Sequence, residues 1–171
     1  MDLRQTLLLP HSVDRRNQVI SYVGKDPVRF KALASLFFSR EQAIASKAGW
    51  AMGYIVQESP ELLNPWFRQL IKLLEDPKAE EALHRHSVRM LQHVSIPERY
   101  HGQVMNTCFN WIADIQAPVA VKAFSLTVLH QLSQQYPDIR PELALIIRER
   151  WDQETAAFRS RGKKILKAID K

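Results

Sequence analysis

The sequence predicts an all-α protein, a right-handed α-α superhelix of about four helical hairpins preceded by one N-terminal helix. Three observations predict this fold. Apolar residues recur at steps of three and four, as they do on the buried face of a helix. Proline follows a residue with a side-chain acceptor at several points where such a pattern begins. The pattern of helix, turn and helix also returns every 37 or 38 residues, which is typical of stacked repeats.

The helix starts are the most local of these signals. A side-chain acceptor at the N-cap and proline at the first helical position suit a helix start, because the first turn leaves its N–H groups unpaired. Four such pairs occur: Asp26-Pro27, Ser59-Pro60, Asn64-Pro65 and Asp76-Pro77. Ser39-Arg40-Glu41-Gln42 is typical of a capping box. The nine predicted helices span residues 12–23, 27–38, 41–57, 61–75, 78–94, 98–113, 118–135, 139–151 and 155–169.

Turn and helix residues recur with this period. The turn residues that align are Ser39, Asp76, Asp114 and Asp152. The helix after each turn carries a basic residue beside a small one: Lys47-Ala48, His86-Ser87, Lys122-Ala123 and Arg161-Gly162. One hairpin cannot bury its apolar face alone, so we expect the hairpins to stack as a single domain. The expected repeats are at about 27–57, 61–94, 98–135 and 139–169. The small residues, and Gly49 and Gly53, are expected to admit the adjacent helix.

These residues resemble the HEAT repeat family. Leu70–Pro77 followed by Ala82–Leu91 has its pattern: a leucine-rich helix, an Asp-Pro turn, and a helix with a basic-small pair. Val121–Leu126 and Arg159–Ile169 resemble further copies, and the resemblance covers about residues 27–169. It implies an armadillo-type α-solenoid in which turn aspartates and basic residues pair between neighbouring repeats. The residues expected to form that ladder are Asp76, Asp114, Asp152, Lys47, Lys122 and Arg161.

Composition and charge set the broad class. The 171 residues are 46% hydrophobic with a net charge of +6, an ordinary soluble composition. No apolar run is long enough to span a membrane, and residues 1–10 do not have the pattern of a signal peptide. The single Cys108 fits a reducing compartment, so the expected location is cytoplasmic. Residues 155–171 hold six basic side chains against one acidic, and this positive field could attract nucleic acid.

Catalytic and metal-binding signatures are not found. The five glycines are scattered and no Gly-x-Ser-x-Gly elbow occurs, so we predict no nucleotide cradle, no cofactor and no catalytic residues. Cys108 lies in an apolar helical pattern and is expected to be a buried, inert thiol. His84 and His86 point about 200° apart on a helix, which is unsuitable for one metal ion. His86 and His93 share a face, but no third ligand joins them.

Three classes of function remain open. The preferred interpretation is a non-enzymatic module that binds a protein or peptide on one face of the stacked hairpins. The binding residues predicted on that face are Lys47, Arg85, Arg89, Lys122, Arg161 and Lys164. A nucleic-acid binder would add the basic C-terminus. An enzyme alternative comes from a family of alkylpurine DNA glycosylases built from HEAT-like repeats, which uses Trp and Asp on a basic concave face. The residues that could serve it here are Trp50, Trp111, Asp114, Trp151 and Asp152.

Overall fold

The computed structural model describes residues 1–171, contains ten α-helices and has no β-strand, so the all-α prediction is confirmed. The helices are α1 Leu3–Leu8, α2 Val13–Val23, α3 Pro27–Phe38, α4 Gln42–Glu58, α5 Phe67–Leu74, α6 Glu81–Leu91, α7 His101–Ala113, α8 Val119–Gln135, α9 Arg140–Arg150 and α10 Ala156–Ile169. Short 3-10 segments lie at Pro60–Trp66, Glu98–Tyr100, Pro137–Ile139 and Trp151–Gln153.

The chain divides into two compact units. Unit 1 is Met1–Ser95 and holds α1 to α6, and unit 2 is Ile96–Lys171 and holds α7 to α10. In unit 1, α3 packs on α4 and α5 packs on α6, while α4 also contacts α1, α2 and α6. In unit 2, α7 packs on α8, and α10 packs on α8 and α9. The predicted hairpin partners therefore pack against each other, and the single domain stays a prediction.

Asp26-Pro27 begins a helix as predicted, whereas Ser39 does not. Asp26 accepts hydrogen bonds from the N–H groups of Val28 and Arg29, at 2.8 and 3.3 Å, and so caps α3. Ser39 instead ends α3, and Arg40 follows with a left-handed φ of 59°. Glu41 precedes α4 without a side-chain cap. The predicted capping box is therefore wrong, because the turn after α3 uses the residues that the box would need.

The second repeat also begins differently from its prediction. Residues 61–75 were expected to form one helix, but a 3-10 segment at Pro60–Trp66 precedes α5, and Pro65 lies inside that segment. Asp76-Pro77 starts no helix. The Asp76 carboxylate accepts from the N–H of Lys78 at 2.9 Å in a turn, and α6 begins only at Glu81. A proline can thus enter a tight turn with the same acceptor that would cap a helix.

Helix α1 was not predicted at all. Asp2 accepts from the N–H of Gln5 and caps it, and Leu3 and Leu7 are its two buried side chains. Two buried leucines on a six-residue helix give too short a pattern for a sequence prediction. The N-terminal part of the chain therefore holds two helices, α1 and α2, where one was expected.

Glycines and other small residues lie where helices approach closely, as predicted. A Cβ on Gly49 would lie 2.7 Å from Phe37 Cε2 and 2.9 Å from the His86 ring, and one on Gly53 would lie 3.4 Å from the Arg89 guanidinium. In unit 2 a Cβ on Gly162 would lie 2.8 Å from a methyl of the Ile147 side chain. Close approach of α4 to α6 therefore sets where the side chains of α6 lie.

Side-chain contacts repeat with the period of the sequence. They join residues 36 to 38 positions apart: Arg4–Glu41, Arg40–Asp76 and Arg16–Tyr54 in unit 1, and Arg150–Ala113 and Arg161–Ala123 in unit 2. Contacts between equivalent positions of neighbouring repeats have this separation. The structure thus supports the period of 37 or 38 residues within each unit.

Candidate interaction surface

Unit 1 carries a cluster of stacked cationic and aromatic side chains. Helix α4 lies against both α2 and α6. Arg16 of α2 lies over the rings of Trp50 and Tyr54 of α4, with its guanidinium carbon 4.5 and 4.3 Å from their centroids. Arg89 of α6 lies 4.4 Å from the Tyr54 centroid, and the His11 ring stacks on Trp50 at 4.2 Å. We call these five side chains the cation–aromatic stack.

Tyr54 is the centre of the stack because both arginines contact it. Arg16 Nη1 donates a hydrogen bond of 3.1 Å to the Tyr54 hydroxyl. Hydrogen bonding from Arg89, and then the positive charge of the two arginines, lowers the pKa of Tyr54. Gly53 leaves room for the Arg89 guanidinium to lie against α4. One aromatic ring therefore attracts two like charges through cation–π interactions.

The charged groups of this surface have no acidic counterpart. No Asp or Glu oxygen lies within 4.0 Å of the charged groups of Arg16, Lys47 or Arg89. The Lys47 ammonium instead donates to the backbone carbonyls of Leu7 and Leu9, both at 2.8 Å. Backbone carbonyl oxygens position the ammonium but do not neutralise its charge. These three groups therefore keep their positive charge without a direct ion pair.

The pKa values of two histidines are lowered by burial and by this positive charge. Burial lowers the pKa of His11, and the charges of Lys47 and Arg16 lower it further. Burial also lowers the pKa of His86 to about 4, with the charges of Arg85 and Arg89 as the next causes. His86 is 5% exposed and its Nδ1 has no hydrogen-bond partner. Both imidazoles are thus kept neutral near pH 7 beside the arginines.

Comparison with known families identifies the repeat. The model of the HEAT repeat domain family matches residues 3–169. The chain belongs to the HEAT repeat family. A search of curated proteins and a search of solved structures found no match. The family match extends the resemblance seen in the sequence toward the N-terminus, across α1 and α2.

Three of the predicted binding residues, Lys47, Arg85 and Arg89, lie in unit 1. Arg89 belongs to the cation–aromatic stack, and Lys47 lines a small cavity beside Trp50. Arg85 lies on α6 with its guanidinium 3.8 Å from the carboxylate of Glu81, one turn earlier. The structure therefore brings Lys47 and Arg89 to the same surface.

The other three predicted residues lie in unit 2 and differ in exposure. Lys122 is buried, and its ammonium contacts the Glu154 carboxylate at 2.6 Å. Arg161 is half-buried and donates to the Thr127 hydroxyl at 2.6 Å. Lys164 is exposed and lines an open cavity of about 430 Å³ with Arg161. The Lys122 ammonium is thus not on a surface that a partner can reach.

Ion pairs were expected between turn aspartates and basic residues of neighbouring HEAT repeats, but most of these residues have other partners. Asp76 does pair with a neighbouring repeat, through Arg40. Asp114 instead accepts from the N–H of Gln116 in its own turn, and Asp152 lies exposed in a 3-10 segment. The acid that pairs with Lys122 is Glu154 rather than an aligned aspartate.

Sequence reasoning missed four residues of the cation–aromatic stack: His11, Arg16, Trp50 and Tyr54, of which only Trp50 was noted, in another role. A signal was present, since Trp50 and Tyr54 are four residues apart and share a face of α4. Arg16 also precedes Tyr54 by 38 residues, one repeat. The predicted repeats begin at residue 27, so the period alone does not pair Arg16 with Tyr54.

Among the residues named for a glycosylase, Trp50 lies in unit 1 and Asp114 lies in unit 2. The cavity beside Trp50 is lined by Arg15, Arg16 and Lys47 and by no carboxylate. Asp114 lies in its turn, as described above. No group of three or more His, Cys, Asp or Glu side chains is placed to hold a metal ion. None of the helices combines the length and the apolar character needed to cross a membrane.

The thiol of Cys108 is buried, as predicted. Burial raises its pKa to about 12, so the thiolate that would act as a nucleophile is not formed near neutral pH. The predicted burial of Cys108 is therefore confirmed.

Proposed function

We propose that this HEAT-repeat protein is a non-enzymatic interaction module, and that the cation–aromatic stack binds an acidic segment of a protein partner. The observation that supports this proposal most directly is the pair of guanidinium groups on Tyr54 with no carboxylate within 4.0 Å. A partner that supplies carboxylates or other anionic groups would complete their hydrogen bonds.

The residue types also favour a protein partner. Arginine and aromatic side chains are enriched at the energetic centres of protein interfaces. The rings of Trp50 and Tyr54 each have two groups of the stack within 4.5 Å of their centroids. A nucleotide base would have to displace one of these groups in order to stack on a ring. A carboxylate needs only the N–H edges of the guanidinium groups.

The experiment compares two pairs of substitutions that each remove two positive charges. Arg16→Gln with Arg89→Gln changes the stack, and Lys163→Gln with Lys167→Gln changes exposed residues of α10. Fluorescence anisotropy measures binding to a flexible peptide rich in Glu, and the same peptide with Gln for Glu is its neutral counterpart. We expect the first pair to weaken binding about tenfold or more, because two charge-assisted hydrogen bonds are lost.

The control pair should leave the affinity for this peptide nearly unchanged. Equal losses for the two pairs would instead mean that net charge attracts the peptide without a site. Circular dichroism of each variant checks that its helices are retained. Proteins cross-linked to the wild type and to the control pair, but not to the stack pair, would then be candidate partners.

Nucleic-acid binding is the second candidate, and the lysines of α10 favour it. Lys163, Lys164 and Lys167 are exposed on one helix. Binding to duplex DNA would fall steeply as salt is raised, because each phosphate contact releases a counterion. Loss of such binding in Lys163→Gln with Lys164→Gln, but not in the stack pair, would support this candidate. The glycosylase alternative further requires release of an alkylated base from that DNA.

A further inference from the structure

We propose that Arg16 and Arg89 form a receptor for one phosphate monoester, a phosphorylated side chain of the protein partner. This inference rests on the proposed function, because it names the group that the cation–aromatic stack recognises. The two arginines come from α2 and α6, and both guanidinium groups lie on the one ring of Tyr54, within 4.4 Å of its centroid. Arg16 donates to the Tyr54 hydroxyl and Arg89 also hydrogen-bonds the Tyr54 side chain, so a ligand group beside that hydroxyl lies next to both guanidinium groups.

The hydrogen bonds already made by the arginines leave donors for such a group. Arg16 uses Nε and Nη2 for the Asn17 side-chain oxygen, at 3.1 and 2.9 Å, and Nη1 for the Tyr54 hydroxyl. A guanidinium has five N–H donors, so two remain on its terminal nitrogens. The Arg89 guanidinium lies over Tyr54 and has no carboxylate within 4.0 Å.

A phosphate suits two guanidinium groups better than a carboxylate does. A carboxylate has two oxygens, and one arginine fork occupies both of them. A phosphate monoester has three terminal oxygens and a charge of about −1.5 to −2 near neutral pH. It can accept from both arginines at once, and its Coulomb attraction to each is up to about twice that of a carboxylate.

The surroundings favour a group with more than one negative charge. Lys47 and Arg15 line the cavity next to the stack, whereas Arg85, one turn before Arg89 on α6, is paired with Glu81. Arg16, Trp50, Tyr54 and Arg89 are half-buried rather than enclosed, so a side chain can reach them from solvent. Stacking on the rings also fixes the guanidinium planes before binding, which reduces the entropy that binding must overcome.

The experiment uses degenerate peptide libraries that differ at one central position, which is phosphoserine, Glu or Ser. Anisotropy at a fixed, near-physiological salt concentration measures the affinity of the full-length protein for each library. We expect the phosphoserine library to bind about tenfold or more tightly than the Glu library, since a second arginine is engaged. Equal binding of the phosphoserine and Glu libraries, lost in the stack pair, would overturn the phosphate receptor while the proposed function stands.

Conservative variants give a second readout. Arg16→Lys and Arg89→Lys keep the charge but remove the planar fork, so each should abolish the preference for phosphoserine over Glu while binding of the Glu library persists. Lys163→Arg on α10 is the matched control and should keep the preference. A preference that survives both Arg→Lys substitutions would overturn the receptor.

Two further outcomes separate this inference from the proposed function. If none of the libraries binds, and cross-linking to partners is the same for the wild type and the stack pair, both proposals fail. If an oligonucleotide of equal charge binds the stack more tightly than the phosphoserine library does, the receptor recognises a nucleic-acid phosphate, and the assignment to a protein partner is overturned.

Discussion

Each repeat has a basic residue beside a small one, and the two units differ in what that basic side chain pairs with. In unit 2 the position is Lys122 in one repeat, whose ammonium is buried against the Glu154 carboxylate at 2.6 Å. In the next repeat it is Arg161, which is half-buried and donates to the Thr127 hydroxyl. In unit 1 the same position is Lys47 in one repeat and His86 in the next. Lys47 donates only to backbone carbonyls, and burial beside arginines keeps His86 neutral.

This difference determines whether the charge at the repeat position is neutralised within its own unit. A buried ion pair cancels its own charge and presents nothing to a partner, so Lys122 and Glu154 serve the packing of unit 2. Unit 1 has no such pair at this position, and its arginines lie on aromatic rings instead. At Lys122 the repeat position is thus structural, whereas in unit 1 it lies beside an open cationic surface.

The largest expected effect is in unit 2, at Glu154. Replacing it with Ala leaves the Lys122 ammonium, whose side chain is 5% exposed, without a negative partner and with only a long hydrogen bond to the Ile115 carbonyl. Removal of one member of a buried ion pair typically costs about 3–5 kcal/mol. Urea denaturation of Glu154→Ala should therefore show a large loss in the free energy of unfolding.

A double substitution separates the lost pair from lost packing. Lys122→Met with Glu154→Leu removes both charges and should recover most of the stability, since apolar residues often replace buried pairs without loss. Lys47→Met in unit 1 should cost less than Glu154→Ala, because it leaves no buried charge behind. An equal loss for Glu154→Ala and Lys47→Met would contradict the comparison.

The sequence was sufficient to predict the all-α fold, because the apolar spacing that marks each helix lies within a short stretch of chain. Apolar spacing placed α3 as Pro27–Phe38, and the period aligned the hairpins. The prediction of helix starts failed where a turn and a helix start use the same kinds of residue. Ser39 and Asp76 both have acceptor side chains, and only the path of the chain decides whether they cap a helix or close a turn.

The candidate site depends on contacts between helices, which the sequence predicted less well. Arg89 was predicted from its place on one face, but its partner Tyr54 was not. Arg16, Tyr54 and Arg89 meet because Gly53 lets the Arg89 side chain lie against α4 and because α2 packs beside α4. Likewise, nothing in the spacing singles out Glu154 rather than Asp152 as the partner of Lys122.

The next largest effect is the pH dependence of unit 1 through His86. Its pKa is about 4 in the folded protein against an ordinary value of 6.5. Between these values the unfolded chain binds a proton that the folded chain does not, so stability falls as pH is lowered through this window. The loss should be complete below about pH 4 and amount to about 3 kcal/mol.

The measurement compares wild type with His86→Gln in urea denaturation at several pH values between 7 and 4. The variant should lose less stability over this range, because glutamine does not titrate. His11, His93 and His130 also have lowered pKa values and titrate in both proteins, so the difference isolates His86. Parallel curves for the two proteins would show that His86 is not held neutral by burial.

A smaller effect is expected at the glycines, one in each unit. Gly49→Ala places a Cβ 2.7 Å from Phe37 Cε2, and Gly162→Ala places one 2.8 Å from Ile147. Overpacking of a well-packed core typically costs about 1–3 kcal/mol. Gly102→Ala is the control, because no neighbouring atom lies within 4 Å. It should be neutral or stabilise its helix by up to about 1 kcal/mol. Thermal melting of the three variants tests whether both units need close helix approach.

The smallest effect distinguishes two turns that the sequence aligns, Asp76 in unit 1 and Asp114 in unit 2. Each carboxylate accepts the N–H of the residue two positions later, Lys78 or Gln116, at 2.9 Å. Only Asp76 also pairs with an arginine, Arg40. Asn keeps the turn acceptor but removes the charge, so Asp114→Asn should be nearly neutral, whereas Asp76→Asn should lower the melting temperature modestly.

Salt and pH test the cause of that difference. The Lys78 N–H, and then Arg40, lower the pKa of Asp76, so the carboxylate stabilises the folded state above its ordinary range and loses this effect as pH falls through its folded pKa. The difference in melting temperature between the wild type and Asp76→Asn should therefore become smaller in acid. It should also narrow at high salt, because an exposed ion pair is screened. A gap that persists at high salt and low pH would instead assign the loss to turn geometry, and the turns of the two units would then differ in shape rather than in charge.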